Sequence, residues 1–197
     1  MGEVMYQITL ATGNLHKVEE INLIAKDYNI EFVLPKGDFN PVEDGNTFLE
    51  NAYCKARFAS NIGETELYLA DDSGLCVEAL NGEPGIRSAR YAPTPKERIN
   101  KLLSVMSEIE NRSAKFICAM VICNKNGEIV FQTQKECIGK IMTEEKGEGG
   151  FGYDPIFFVD EKCCSMAELT RDQKAQVSHR AKALRTVLEW LKNEVIK

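Results

Sequence analysis

MYQITLATGNLHKVEEINLIAKDYNIEFVL, residues 5–34, decides the fold class. Met5 to Ala11 is a short apolar run that reads as a buried strand. Leu15 to Asn29 then carries apolar residues at 15, 18, 21, 24, 25 and 28, the spacing of one helical face. Ile30 to Leu34 reads as a second strand. Strands alternating with a helix of this length imply an α/β protein. Further along, Thr47 and Glu50 have the S/T-x-x-E spacing of a capping box and open a helix to about Asn61. Leu67 to Ala70 reads as a strand that runs into Asp71-Asp72-Ser73-Gly74. Thr94-Pro95-Lys96-Glu97 repeats the capping signal with proline at the first helical position, predicting a helix to about Ile109. Lys115–Cys123 and Glu128–Ile138 flank an Asn126-Gly127 step, a hairpin signal, so the sheet is not purely parallel. Gly147, Gly149, Gly150 and Gly152 break the pattern before Pro155-Ile156-Phe157-Phe158. A last helix from about Ser178 turns Ala181, Leu184, Leu188 and Leu191 inward, with Trp190 also read as core.

No Gly/Ser/Pro linker, repeat or low-complexity tract divides the 197 residues, which suit one domain or a compact pair of lobes. Lys and Arg number 24 against 30 Asp and Glu, a net charge of −6. That balance excludes a generic nucleic-acid binder, which needs a basic footprint to displace counterions. A small anionic substrate remains compatible, because a few local cations or a metal reverse the field inside one site. Seven cysteines and two histidines show no C-x-x-C pair and no ligand-like grouping, which speaks against structural zinc and a disulfide framework. Cys163-Cys164 reads as incidental. The segment MGEVMYQITLATGN lacks a signal-peptide core, its sixth residue fails the myristoylation pattern at Gly2, and no apolar run approaches the ~20 residues of a membrane span. The expectation is a soluble protein of a reducing cytoplasm with no membrane partner.

Four segments could carry chemistry. Thr12-Gly13-Asn14 lies where a strand turns into a helix, with Lys17 one turn inside. Free N–H groups and the positive end of the helix dipole would meet phosphate there; the plain alternative is a turn capped by Asn14. The G-x-x-x-x-G-K-[ST] pattern of P-loop NTPases is absent. Asp71 and Asp72, read as lying at a strand end, are costly to bury unpaired, and a divalent cation would account for them. Mg²⁺ takes one or two carboxylates plus water and phosphate oxygens, and Glu43 or Asp44 could supply another ligand; the alternative is a solvated turn. Gly149–Pro155 sets aromatic rings beside flexible backbone and a carboxylate, suited to stacking on a base and reading its edge, or else is core and loop. Ser178-His179-Arg180, with Lys174 just before, reads as an anion or carbonyl reader or as a solvated helix start.

In order, LATGNLHK (10–17), TFLENAYCKA (47–56), ADDSGLCVEALNGEPGIRSARYA (70–92), GGFGYDPIFF (149–158) and SHR (178–180) resemble the inosine triphosphate pyrophosphatase family, from about residue 8 to residue 190. The resemblance implies a single pyrophosphatase domain over 1–197, α/β, with a mixed, elongated central sheet, flanking helices and two lobes around a substrate cleft. It implies Mg²⁺-dependent hydrolysis of ITP, dITP and XTP to the monophosphate and pyrophosphate, sanitising the nucleotide pool, by a homodimer whose partner is a small-molecule nucleotide. Carried over by motif, Thr12, Gly13, Asn14, Leu15, His16 and Lys17 would hold the triphosphate, with Lys55 nearby. Glu43 and Asp72 would bind Mg²⁺, and Asp72 would also accept the proton of the attacking water. Ser73 would touch substrate. Phe151, Gly152, Tyr153 and Asp154 would hold base and sugar, and Lys174, His179 and Arg180 would complete the base pocket. The chain departs from the family pattern at Ala175-Gln176-Val177, where Asn commonly follows the lysine, and at Ala181, often Gly. A catalytically silent relative would be expected to lose a carboxylate, and this chain keeps Glu43, Asp71 and Asp72. The related pyrophosphatases of modified pyrimidine nucleotides are disfavoured by the Phe151–Asp154 and Ser178–Arg180 motifs.

Overall fold

The structure is a computed structural model and describes residues 5–196, so the reading at Gly2 lies outside it. Seven strands form one mixed sheet in the order β2-β1-β3-β4-β5-β6-β7. They are β1 (Tyr6–Leu10), β2 (Ile30–Val33), β3 (Leu67–Val77), β4 (Ser113–Asn124), β5 (Ile129–Ile141), β6 (Phe157–Val159) and β7 (Cys164–Ser165). The helices are α1 (Leu15–Ala25), α2 (Phe48–Ser60), α3 (Pro95–Val105), α4 (Arg171–Val177) and α5 (His179–Glu194). β1 runs parallel to β2 and β3, with Tyr6 opposite Ile30 and Thr9 opposite Tyr68, whereas β5–β6 and β6–β7 are antiparallel. The expected mixed α/β sheet is therefore present. The Asn124–Glu128 turn joins β4 to β5, Asn124 N–H donating to Glu128 O at 2.9 Å.

The chain forms two compact units. The first takes the chain up to Asp72, Cys118–Lys135 and the chain from Arg180; the second takes Ser73–Ile117 and Glu136–His179. In the first unit the period of two along the strands sorts residues onto two faces. Ile8, Leu10, Leu67, Leu69, Cys118, Met120 and Ile122 pack with Ile21 of α1 and with Ala183, Leu184, Val187, Leu188 and Leu191 of α5. Their neighbours Ala11, Tyr68, Ala70, Val121 and Cys123 pack with Ala52, Ala56 and Ala59 of α2. An all-alanine stripe lets α2 lie close against the strands, and Asn51 and Lys55, one turn apart beside it, are buried with it. The core of the second unit gathers Leu75, Val77, Leu102, Met106, Phe116, Tyr153, Ile156 and Phe157.

The capping boxes form as read. Thr47 accepts from Glu50 N–H at 3.1 Å while the Glu50 carboxylate accepts from Thr47 N–H at 3.0 Å. Replacing Thr47 by Ala is expected to lower stability by about 1 kcal/mol, read as a shifted urea midpoint with unchanged slope.

Several boundaries differ from expectation. The first helix stops at Ala25, not Asn29, because the chain turns through Tyr28 N–H to Ala25 O so that Ile30 can pair with Tyr6. The third stops at Val105, where the Arg112 guanidinium takes over the carbonyl of Met106 at 2.9 Å and binds Ile141 O and Met142 O as well. A separate helix, α4, precedes the last one, and its signal was present as a Thr170/Gln173 capping box. Trp190 is half-buried and stacks on Phe131 at 4.9 Å between centroids. The main correction concerns β3, which does not end at Ala70 but continues to Val77, so Asp71 and Asp72 sit inside a strand.

Candidate active site

Inside a strand, consecutive side chains point to opposite faces, so the Asp71–Asp72 pair divides. Asp72 follows Tyr68 and Ala70 onto the α2 face. Its Oδ2 accepts from Asn51 Nδ2 at 3.2 Å, and its Oδ1 is 3.2 Å from Lys55 Nζ. The same ammonium lies 3.0 Å from Glu43 Oε2. Asn51 also accepts from Gly45 N–H at 2.9 Å, which fixes the orientation of its amide and ties the acidic loop to Asp72. A Cβ at Gly45 would lie 2.6 Å from that of Glu50, so the loop approaches α2 too closely for a side chain. Burial raises the Asp72 carboxyl above its ordinary pKa, and the charges of Asp71 and Glu43 add to this against Lys55 and Lys17. Burial disfavours the Lys55 ammonium, but Asp72, Asp71 and Glu43 outweigh it and hold that pKa above the usual lysine value.

Asp71 follows Leu67 and Leu69 onto the other face, 1% exposed. Its Oδ2 meets Lys17 Nζ at 2.9 Å and Arg180 at 3.3 Å, and Arg180 reaches Glu20 Oε2 at 2.5 Å. Burial alone would neutralise Asp71, yet Lys17, Arg180 and Lys55 prevail and hold its carboxyl well below the usual carboxylate range. Lys17 stands in the first turn of α1, whose cap Asn14 accepts from His16 N–H at 3.0 Å and donates its own N–H to Thr12 Oγ1 at 3.1 Å. Leu15 and His16 are exposed, and a Cβ at Gly13 would meet open space.

In the second unit, Asp154 Oδ2 accepts from Phe151 N–H at 2.8 Å and from Lys174 Nζ at 2.6 Å. The Lys174 ammonium also lies 4.7 Å from the centre of the Phe151 ring. Gly150 has φ +70°, and a Cβ there would lie 2.1 Å from Asp154 Oδ2, so the loop needs glycine twice over. Gly152 also takes a left-handed φ. Tyr153 is buried and donates its hydroxyl to Ser88 O at 3.0 Å. His179 is buried with its ring stacked on Phe116 at 4.8 Å, and Ser73 is half-buried.

Two groupings expected from sequence thus form: Glu43, Lys55 and Asp72 in the first unit, and Phe151, Asp154 and Lys174 in the second. The adjacent acids divide instead of sharing one ligand position, and Arg180 engages Asp71 and Glu20. Sequence reasoning missed Asn51, Glu20 and Ser88. Asn51 and Glu20 lie one turn from Lys55 and Lys17, the only local hint of their part.

Among the described residues no three His, Cys, Asp or Glu side chains gather into a metal-holding group. Magnesium does not need three, since one or two carboxylates suffice when water and phosphate supply the rest. Glu43 Oε2 and Asp72 Oδ1 converge on one cation, the Lys55 ammonium, and both are hard oxygen donors. The donor set fits Mg²⁺.

A model described as the Ham1 family matches residues 8–190. A Treponema denticola protein named dITP/XTP pyrophosphatase is 44% identical over 195 residues, spanning 94% of this chain and 98% of that one. A Vibrio parahaemolyticus protein of the same name is 45% identical over 197 residues, 95% and 97% of the two chains. Among solved structures, a HAM1 protein from Coxiella burnetii matches with a TM-score of 0.86 at 37% identity, over 96% of this chain and 100% of that one.

Proposed function

The chain belongs to the Ham1 family, and from that premise we propose that it hydrolyses the non-standard purine nucleotides dITP, ITP and XTP to the monophosphate and pyrophosphate. The observation that carries this reading within the chain is Asp72, a buried carboxylate oriented by Asn51 and Lys55 with Glu43 on the same ammonium. A carboxylate fixed by an amide and an ammonium donor is held in one orientation from which it can accept a proton from water. Asp72 is therefore assigned to deprotonate the water that attacks the α-phosphorus. Glu43 and Asp72 would hold Mg²⁺, which when bound would neutralise charge on the phosphate oxygens. Lys55 and Lys17 now hold carboxylates, and phosphate oxygens can replace these as partners without stranding either charge. The open space over Gly13 at the start of α1 leaves room for a phosphate to approach backbone N–H groups.

Base reading is assigned to the Phe151 ring, the Asp154 carboxylate, the Lys174 ammonium and His179. Cationic and N–H donors favour a 6-oxo group, whereas adenine presents an amino donor there. A donor left facing a donor costs about 1–3 kcal/mol, roughly 5- to 150-fold in rate. Guanine keeps the 6-oxo group, so GTP is expected to be the leakiest of the standard purine nucleotides. The same reading makes the protein a Mg²⁺-dependent homodimer of the cytoplasm that keeps deaminated purines out of the nucleotide pool. No helix among the described residues is long and apolar enough to cross a membrane.

The test is product analysis with dITP, dATP and GTP, each with Mg²⁺ and with EDTA. Mg²⁺-dependent dIMP and pyrophosphate from dITP, slower GTP turnover and still slower dATP turnover are expected. Release of single phosphates, or equal rates with dATP and GTP, would overturn the assignment.

A further inference from the structure

Tyr153 sits in the middle of the glycine loop, yet its side chain is spent inside the protein. The residue is 4% exposed, and its hydroxyl donates to the main-chain carbonyl of Ser88 at 3.0 Å. Ser88 is itself fixed from two sides: its Oγ accepts from Leu75 N–H at 2.9 Å and donates to Gly85 O at 2.6 Å. Leu75 belongs to β3, three residues beyond Asp72. The tether therefore runs from β3 through Ser88 to the phenol of Tyr153, between the two residues, Phe151 and Asp154, assigned to the base.

This loop needs a tether. Gly150 and Gly152 both adopt left-handed φ, and glycine restrains the backbone least of all residues. Of the side-chain bonds described above, those to Asp154 from Phe151 N–H and Lys174 use groups that a bound base would compete for. The Tyr153–Ser88 bond uses none of these and can persist whether or not a nucleotide is present. Tyr153 also packs in the core with Leu75, Ile156 and Phe157, so the ring is held along its length as well as at its hydroxyl.

We propose that Tyr153 and Ser88 are positioning residues for base recognition: the phenol-to-carbonyl bond sets the Phe151–Asp154 loop, and the Tyr153 side chain does not itself touch the nucleotide. The inference rests on the reading of Phe151, Asp154 and Lys174 as the base-reading group, and it reassigns the Tyr153 side chain within the loop that the resemblance gave wholly to base and sugar.

The test compares wild type, Tyr153→Phe, Ser88→Ala and the double variant by dITP kinetics, product inhibition and melting temperature. Tyr153→Phe removes one oxygen and keeps the ring; Ser88→Ala keeps the carbonyl and frees it from its two anchors. Each is expected to raise KM for dITP and the inhibition constant of dIMP by about fivefold, the size of the single Tyr153–Ser88 hydrogen bond that one change removes and the other loosens. The kcat value and the inhibition constant of inorganic pyrophosphate stay within about twofold of wild type. The double variant resembles the stronger single variant, since both changes break one chain. An unchanged dIMP constant in both single variants overturns the proposal. So does an equal rise for dIMP and pyrophosphate, which marks general damage, or effects that multiply in the double variant. If one variant fails to fold, the comparison of dIMP with pyrophosphate inhibition in the other still decides: a rise for dIMP alone supports the proposal, and no rise or an equal rise overturns it. Failure of the underlying reading looks different: wild type itself would neither hydrolyse dITP nor be inhibited by dIMP.

Discussion

Asp72→Asn is expected to reduce Mg²⁺-supported release of pyrophosphate from dITP by roughly a thousandfold or more. A positioned general base alone contributes about 10²- to 10⁴-fold, and the same change removes a charge from the carboxylate proposed to hold Mg²⁺. The amide is isosteric with the carboxylate but cannot satisfy both of its partners. Asn51 Nδ2 and Lys55 Nζ are each donors, and one of them must then face the new amide's NH₂ group. Nucleotide binding is retained, because the Phe151, Asp154 and Lys174 group is untouched. Steady-state pyrophosphate release, paired with calorimetric titration of dITP onto the variant, separates the two effects. A variant that keeps more than about a tenth of wild-type kcat would remove Asp72 from the chemical step.

Arg180→Met is expected to lower stability by about 3–5 kcal/mol, because it strands a buried charge. Asp71 is 1% exposed and would lose the guanidinium 3.3 Å away while keeping Lys17 at 2.9 Å, and Glu20 would lose its 2.5 Å partner. For a chain of this length the loss corresponds to a fall in melting temperature of roughly 6–20 °C. Adding Asp71→Asn should restore part of it, since the stranded charge is then removed; a single variant melting within about 3 °C of wild type would show that the pair contributes little. The pH dependence has a definite sign. A carboxyl held below its ordinary pKa when folded contributes stability at pH values above about 4, and that contribution is lost as acid protonates it. Wild type should therefore lose stability on acidification below about pH 4 more steeply than the Arg180→Met variant.

Local chemistry was enough for much of this molecule. Apolar spacing defined β1, α1 and α5; the Thr47/Glu50 and Thr94/Glu97 boxes defined where α2 and α3 begin; the Asn-Gly step defined the turn between β4 and β5. These features depend on residues within one or two turns of each other, which a sequence displays directly. The ordered motifs also placed the chain in a family, and the resemblance pointed to Glu43, Asp72, Phe151 and Asp154 as candidate site residues.

Tertiary structure alone decided what the charged residues do. Two adjacent aspartates lower strand propensity, so the sequence reads β3 as stopping at Ala70. It continues because partners arrive from distant parts of the chain: Lys55 and Asn51 on one face, Lys17 and Arg180 on the other. Arg180 is 109 residues from Asp71 and 160 from Glu20, separations that no local pattern encodes. Ser178-His179-Arg180 read as one cluster, but successive helical residues point about 100° apart. His179 accordingly stacks on Phe116 while Arg180 pairs with Asp71. Period and capping are properties of neighbours in sequence, whereas the state of a buried charge is set by whichever opposite charges the fold brings within about 4 Å.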